Sequence, residues 1–366
     1  MPRIPLTSAE IDAAWLNEVL SPEVRDGGTV TGVSAEIIGE GVGFLGELAR
    51  LTLTYEGAGP NAATSMISKV PTTNPGFRHI GTMFDFYRKE YGFYDQVAAN
   101  ITINVPTAHV NLGDLATNDF ILVMEDLGDH RPGNQLEGCS REDAELALRE
   151  LAKFHAAWWE HPALESFSEW LPSTGHPIFG LLEQGYRDAL PRLVPVAGHL
   201  ISENVVEFAH GNMDSYHENL ERGAMRRPHT FVHGDFRLDN MMFRDHTDGT
   251  EFTLIDWQLP FKANPMWDVV YFLAGNFDPD FRRNHEKELL RTYHDTLLAN
   301  GVTDYCYDQL WDDYRAVSSV LVGYMVTICG DLDWDSLNER GKAAAEMMIS
   351  RYSLAIDDLD PAQFLL

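Results

Sequence analysis

The chain has 366 residues, 44% of them hydrophobic and 23% charged, which argues against disorder and leaves enough length for two lobes with sizeable cores. Its 27 Lys and Arg face 56 Asp and Glu, a formal net charge of −29 that repels nucleic acid and anionic membrane surfaces and excludes both as expected partners. The charge is −8 over residues 1–125 and −21 over 126–366; the acidic surplus mildly favours a cationic ligand, and a plain solvated surface accounts for it equally.

Thr7 and Glu10 stand at capping-box spacing ahead of Ile11, Ala14, Trp15 and Leu16, which predicts a short N-terminal helix. Residues 29–55 place β-branched and aliphatic residues around a glycine cluster, and Leu51, Leu53 and Tyr55 alternate with polar neighbours, so a strand, a glycine turn and a second strand are expected. A third strand over 65–70 ends at Pro71, helical spacing runs over 84–99, and 101–110 and 120–124 read as two more strands. From Ser140 the chain turns mainly helical: REDAELALRELAKFHAAWW is amphipathic, with Ser140 as its N-cap. Residues 158–225 are aromatic-rich helix and loop, short strands return at 230–243 and 252–255, and 266–354 is helical again. The order is a β-rich first third, then an α-rich remainder with a small hairpin in its middle.

Cys139, Cys306 and Cys329 are odd in number, widely spaced and form no C-x-x-C, as expected of reduced, mostly buried thiols in a cytoplasmic protein. MPRIPLTSAEIDAAWLNEVL lacks the apolar core of a signal peptide, and the apolar stretch around 320–329 is too short for a bilayer and reads as a buried helix.

Three features of the β-rich part bear on chemistry. Gly41, Gly43 and Gly46 form a G-x-G-x-x-G match, but a strand follows them rather than the helix of a dinucleotide-binding unit. Such a hairpin can fold over nucleotide phosphates, letting backbone N–H groups approach without a Cβ in the way; a plain turn is the other reading. Lys69, near the end of the strand SMISKVP, either snorkels or meets a buried anion. Glu90 lies mid-helix in FYRKEYGFYDQV, where an ion pair to Lys69 would hold the ammonium ready for α- and β-phosphates; two ordinary surface charges are the alternative. Asp85, Lys89 and Asp95 on the same helix are expected to be solvated.

FVHGDFRLDNMMF (231–243) sets His233, Asp235, Arg237, Asp239 and Asn240 inside an apolar frame. Buried charge is costly, so these groups satisfy one another or meet a ligand. Asn240 follows Asp235 by five residues, and Asp256 ends the strand FTLIDWQ sixteen residues later. Phosphoryl transfer needs a carboxylate to accept the attacking hydroxyl's proton and oxygen ligands for magnesium. Asp235 fits the base, Asn240 and Asp256 the metal ligands, and Arg237 a partner for the γ-phosphoryl as charge shifts. His233 is expected to brace the loop, Asp239 to face solvent or pair with Arg237, and Asp268 in NPMWDVVYF to cap its helix or anchor the loop, a structural role.

Together GEGVGFLGE (39–47), Lys69, Glu90 with Phe93 and Tyr94, MEDL (124–127), HGDFRLDN (233–240) and IDWQ (255–258) resemble the aminoglycoside phosphotransferase and choline kinase-like superfamily, which shares the protein-kinase fold. Within it the Arg and Asp of HGDFRLDN look like the kinase modules associated with acyl-CoA dehydrogenases. The resemblance implies an α+β, bilobal protein-kinase-like fold: a nucleotide-binding lobe over 1–125, with a small antiparallel sheet and one main helix, and a larger, mostly helical catalytic and acceptor-binding lobe over 126–366. It implies a small-molecule kinase moving the γ-phosphoryl of ATP or GTP, with Mg2+, to a hydroxyl. Asp235 matches the base, Asn240 and Asp256 the magnesium ligands, Lys69 and Glu90 the phosphate-positioning pair, and Met124, Glu125 and Leu127 the hinge whose backbone receives adenine.

Only eleven residues separate Asp256 from Asp268, with no A-P-E after them, so there is no room for the activation segment of a protein kinase and a small-molecule acceptor is expected. Its walls would come from Trp158, Trp159, Trp170, Phe179, Tyr186, Trp311, Tyr314 and Tyr324, although large aromatics fill cores by default. The alternatives are a two-metal phosphoesterase built on His210, Asp214, His217 and HGD, which lacks any D-x-H ligand pair, and a nucleotide-binding pseudokinase.

Overall fold

The computed structural model describes residues 2–38, 45–114, 116–173 and 175–365. They pack as two units, one of Met1–His130 with Thr253–Leu259, the other of Arg131–Phe252 with Pro260–Leu366.

The first unit opens with α1 (Ala13–Val19) and a five-stranded antiparallel sheet ordered β1-β2-β3-β5-β4, with β1 Thr29–Ile38, β2 Gly46–Glu56, β3 Ser65–Pro71, β4 Ala108–Asp114 and β5 Asp119–Glu125. One face packs Leu51, Leu53, Met66, Val70, Ile121 and Val123 against Trp15 and Leu16. Strand residues alternate faces, so Lys69, one position out of phase with Met66 and Val70, takes the other face. Asp12, not Thr7, caps α1 by accepting from the Trp15 N–H at 2.8 Å; the Glu10 carboxylate accepts from the Leu6 N–H and from Arg3.

The helix expected over 84–99 is α3 (Phe86–Gln96), and α2 (Pro75–Met83) precedes it. Asn74 caps α2 through the Gly76 and Phe77 N–H groups, with Pro75 in the first turn, and Asp85 at φ 55° breaks the two apart. Lys89 corrects the expectation of a solvated side chain: it is buried, its Nζ 5.6 Å from the Phe86 ring centroid. The strand expected over 101–110 begins only at Ala108, because Pro106 has no N–H for a ladder; earlier in that stretch Asn104 alone bridges, to Thr253.

The second unit is mainly helical. Ser140 caps α4 (Arg141–Ala157) through the Asp143 N–H, as expected. There follow α5 (Ile178–Ala197), α6 (Glu203–Gly211), α7 (Tyr216–Gly223), α8 (Met266–Gly275), α9 (Pro279–Ala299), α10 (Tyr307–Val317), α11 (Val320–Asp331) and α12 (Glu339–Leu359). α4 packs along α9 and α5 along α11. The short strands form two sheets: β6 (Arg131–Pro132) with β8 (Met241–His246) and β9 (Gly249–Leu254), and β7 (Thr230–Val232) with β10 (Phe261–Ala263). α11 is the buried apolar helix expected around 320–329, and no described helix is long and apolar enough to cross a membrane.

Candidate functional site

In the first unit, Lys69 is paired on β3 with Leu48 of β2 and Leu122 of β5. Its ammonium lies 2.8 Å from Glu90 Oε1 of α3 and 2.8 Å from Asp256 Oδ1. Lys69 is 5% exposed and Glu90 1%. Burial works against the ammonium, but the Asp256 and Glu90 carboxylates outweigh it and hold its pKa above the usual value. Burial pushes Glu90 up to about 7 despite the opposing charge of Lys69, and Glu90 Oε2 is buried with no hydrogen-bond donor among the described residues. Two carboxylates therefore share one ammonium.

Asp256 holds a left-handed backbone at φ 67°, a strained position for a residue with a Cβ. The next residue, Trp257, is fully buried and stacks on Phe93 of α3, ring centroids 3.9 Å apart and planes 5° apart. That stack fixes the segment against the helix that carries Glu90. Gly46 passes directly over the lysine stem: a Cβ there would lie 3.4 Å from Lys69 Cε and 3.3 Å from the Val70 carbonyl oxygen. Gly41 and Gly43 lie outside the described residues. Met124 and Glu125 end β5, and Leu127 just beyond is buried.

In the second unit, the loop 233–240 is held from several sides. Asp268, fully buried on α8, makes no cap to its own helix; it accepts from the His233 and Gly234 N–H groups at 2.7 and 2.8 Å and meets His155 Nε2 at 3.2 Å. Of its two expected roles it takes loop anchor. Asn276 accepts from the Leu238 N–H at 2.9 Å, and Tyr324 donates to the Gly234 carbonyl at 2.8 Å. Gly234 sits at φ 82°, where a Cβ would be strained. His233 braces the loop as expected, its Nδ1 accepting from the Asp235 N–H at 3.2 Å.

The Asp235 carboxylate gathers three donors: Arg237 Nε at 3.0 Å and Asn240 Nδ2 at 2.8 Å on Oδ2, and the Tyr271 hydroxyl at 2.9 Å on Oδ1. Arg237 also pairs with Asp239 at 3.2 Å. Asp239 in turn accepts from the Gln135 N–H at 2.9 Å. Asn240 donates through Nδ2 to the Asp235 carboxylate and to its backbone carbonyl at 2.9 Å, which leaves its amide oxygen as an acceptor.

The sequence matches the ecdysteroid kinase-like family over residues 40–302, more than half of the chain. The chain belongs to that family. No curated protein matches it. Among solved structures, the ecdysteroid kinase-like chain is similar to the GDP and kanamycin complex of APH(2″)-IIIa, at 15% identity and TM-score 0.52, covering 91% of this chain and 94% of the other. It is similar to an ethanolamine kinase of Plasmodium vivax, at 13% identity and TM-score 0.55, covering 87% and 80%. A choline kinase of Streptococcus pneumoniae follows at 15% identity and TM-score 0.50, covering 90% and 94%. The fold is thus α+β and protein-kinase-like, within the aminoglycoside phosphotransferase and choline kinase-like superfamily.

Sequence reasoning missed two contacts in this ecdysteroid kinase-like chain, one in each unit. Tyr271 meets Asp235 from thirty-six residues away, and only its place one helical turn after Asp268 hints at a shared face. Lys69 as the direct partner of Asp256 was not foreseen, because that pair is closed by tertiary packing. Of the expected aromatic walls, Tyr186 and Tyr314 are fully buried and Trp170 and Phe179 nearly so, which makes them core; Tyr324 touches the loop.

Proposed function

We propose that this protein is a small-molecule kinase that transfers the γ-phosphoryl group of ATP or GTP to a hydroxyl of a small acceptor, with Asp235 as the base. The observation that carries the reading is the loop in which a half-buried carboxylate is aimed by Arg237, Asn240 and Tyr271, on a backbone pinned by Asp268. A carboxylate held in one rotamer can take the acceptor's proton as its oxygen attacks phosphorus, without reorganising at that moment. Arg237 keeps Asp235 oriented through that step and is the partner we assign to the γ-phosphoryl as charge shifts.

Lys69, with Glu90 behind it, suits the α- and β-phosphates: a compact cation on a buried strand, freed when phosphate oxygens replace carboxylate. Backbone at Met124, Glu125 and Leu127 takes the base, and Gly41, Gly43 and Gly46 cover the phosphates. The GDP and kanamycin held by one structural neighbour are of the two ligand classes proposed here, a nucleotide and a small acceptor.

Magnesium fits the donor set. Among the described residues no group of three or more His, Cys, Asp or Glu could hold a metal by itself; magnesium in phosphoryl-transfer sites takes only one or two protein oxygens, with phosphate and water completing its shell. Asn240, through its amide oxygen, and Asp256, through a carboxylate now facing a lysine, are the two we assign. When bound, the ion supplies charge neutralisation across the phosphates.

The test is magnesium-dependent consumption of ATP and GTP against a panel of hydroxylated small molecules, with the phosphorylated product identified by mass. A product made only with nucleotide, magnesium and acceptor together is the expected result. Phosphoester hydrolysis without nucleotide, or nucleotide binding with no product on any acceptor, would overturn the reading.

A further inference from the structure

The segment 124–127 is gripped by three residues to which the proposed reaction gives no part. Asp126 turns its carboxylate back onto the sheet. Its Oδ2 accepts from Arg50 Nε of β2 at 2.8 Å and from the Ser65 hydroxyl at the start of β3, and its Oδ1 from Arg50 Nη2 at 3.4 Å. Only 11% of the Asp126 side chain is exposed. Burial opposes its charge, but the Arg50 and Ser65 bonds prevail and hold its pKa below the ordinary carboxylate value. Glu125, although exposed, is tied as well: its backbone N–H donates to the Thr107 carbonyl at 2.9 Å and its carboxylate accepts from the Thr107 N–H at 3.2 Å.

Both acidic side chains of the segment are thus tied away, and it presents backbone. Beyond Asp126 the Leu127 carbonyl accepts from the His130 N–H at 2.9 Å, which closes a turn. The Leu127 N–H has no acceptor among the described residues, although Leu127 is only 9% exposed. An unpaired backbone donor at a buried residue is uncommon and suits a ligand acceptor.

We infer that Arg50, Asp126 and Ser65 form a clamp that positions this backbone for the base of the nucleotide, aiming the Leu127 N–H at a ring nitrogen. The inference rests on the kinase reading above. The clamp residues touch no ligand; they act through the peptide they hold, and their loss is felt in binding. They join strands β2 and β3 to the chain just past β5, so that the donor's position is set by the sheet. Without the carboxylate, the 126–127 peptide is free to rotate and the donor is no longer pre-aimed.

Calorimetric titration of the full chain with magnesium–ATP and magnesium–GTP tests this without any acceptor. Asp126→Asn is expected to weaken binding about tenfold, the scale of one charge-assisted bond, and Arg50→Ala by a similar factor, with Arg50→Lys between them and wild type. In turnover the loss should fall on the nucleotide KM, with kcat changed less than about twofold. If Asp126→Asn does not fold, Arg50→Ala, whose side chain is 39% exposed, carries the same test. Wild type that binds nucleotide while both variants bind it equally well would overturn the clamp alone. Wild type that binds neither nucleotide would overturn the kinase reading and the clamp with it.

Discussion

In the first unit Lys69, Glu90 and Asp256 are set against one another, whereas in the second Asp235 is surrounded with donors. Lys69 serves Glu90 and Asp256 together, which leaves Glu90 Oε2 without a donor. Around Asp235 the balance is reversed: a guanidinium, an amide and a phenol converge on one carboxylate, whose backbone is itself pinned. A buried ion pair is held only if its remaining lone pairs are satisfied. The first arrangement is therefore short of a positive charge or a donor, and the second is complete as it stands. The difference suits a first unit that receives a charged ligand and a second that must keep one group still.

The largest effect should come from the complete side. Asp235→Asn preserves the shape of the side chain and removes proton acceptance, so transfer should fall by roughly 10²- to 10⁴-fold, the usual contribution of general base catalysis. Nucleotide affinity by calorimetry should stay within about twofold, because that carboxylate is assigned no phosphate contact. Undiminished turnover would show that the saturated carboxylate is not the base.

The incomplete side should declare itself in pH dependence. Glu90 is raised from 4.5 to about 7 by burial, with Lys69 opposing. Folding then takes up a proton between those values, so this contribution is fully present below pH 4.5, declines as pH rises and is gone above about 7. Its span is about 3 kcal/mol at most, at 1.36 kcal/mol per pKa unit. Glu90→Gln has nothing to titrate, and its urea-unfolding free energy should lack that decline while wild type shows it. Parallel pH profiles for the two proteins would mean that Lys69 satisfies both carboxylates after all.

What the sequence disclosed followed its local signals. The alternation around Leu51 and Leu53, the N-cap Ser140 and the spacing of HGDFRLDN with IDW all concern neighbours along the chain, and the kinase-like fold was legible from them. Asn74 and Pro75 carry a helix-start signal for α2 that 84–99 periodicity overshadowed. Pro106 should have moved the strand to Ala108. Lys89 looked solvated beside Asp85 and Asp95 because charged residues in a helix usually are, and nothing local tells which helical face will be covered. The contacts to Asp126 and Asp235 were out of reach for another reason: Arg50 and Asp126 stand seventy-six residues apart, and Tyr271 thirty-six from Asp235, so only the folded sheet and α8 bring them together.

Tyr271 gives the next smaller effect. Tyr271→Phe keeps the ring on Tyr324, whose centroid is 4.6 Å away, and deletes only the donor to Asp235 Oδ1. With Arg237 and Asn240 still in place, kcat toward an acceptor found in the panel should drop about tenfold, near the worth of one hydrogen bond to a charged group. The nucleotide KM should not follow. An unchanged kcat would mean that two donors suffice and that the third serves packing alone.

Lys89 offers the smallest effect and the sharpest contrast with Lys69. Both lysines are buried in the first unit, yet Lys69 has two carboxylates on its ammonium, whereas Lys89 has the Phe86 ring at 5.6 Å and the more distant charge of Asp85. Burial accordingly lowers Lys89 from 10.5 to about 8, with Asp85 opposing. The folded state releases that proton more readily than the unfolded chain, so the cost of the buried ammonium is full below pH 8 and shrinks as pH climbs toward 10.5. Lys89→Met keeps the length of the side chain and removes the charge, and should gain about 1 kcal/mol in urea unfolding at pH 7, as apolar replacements of buried charge often do. The gain should fade by pH 10, where wild type is neutral at this position as well. A loss of stability at pH 7 instead would mean that Lys89 is paired as effectively as Lys69, and the distinction between the two lysines would fail.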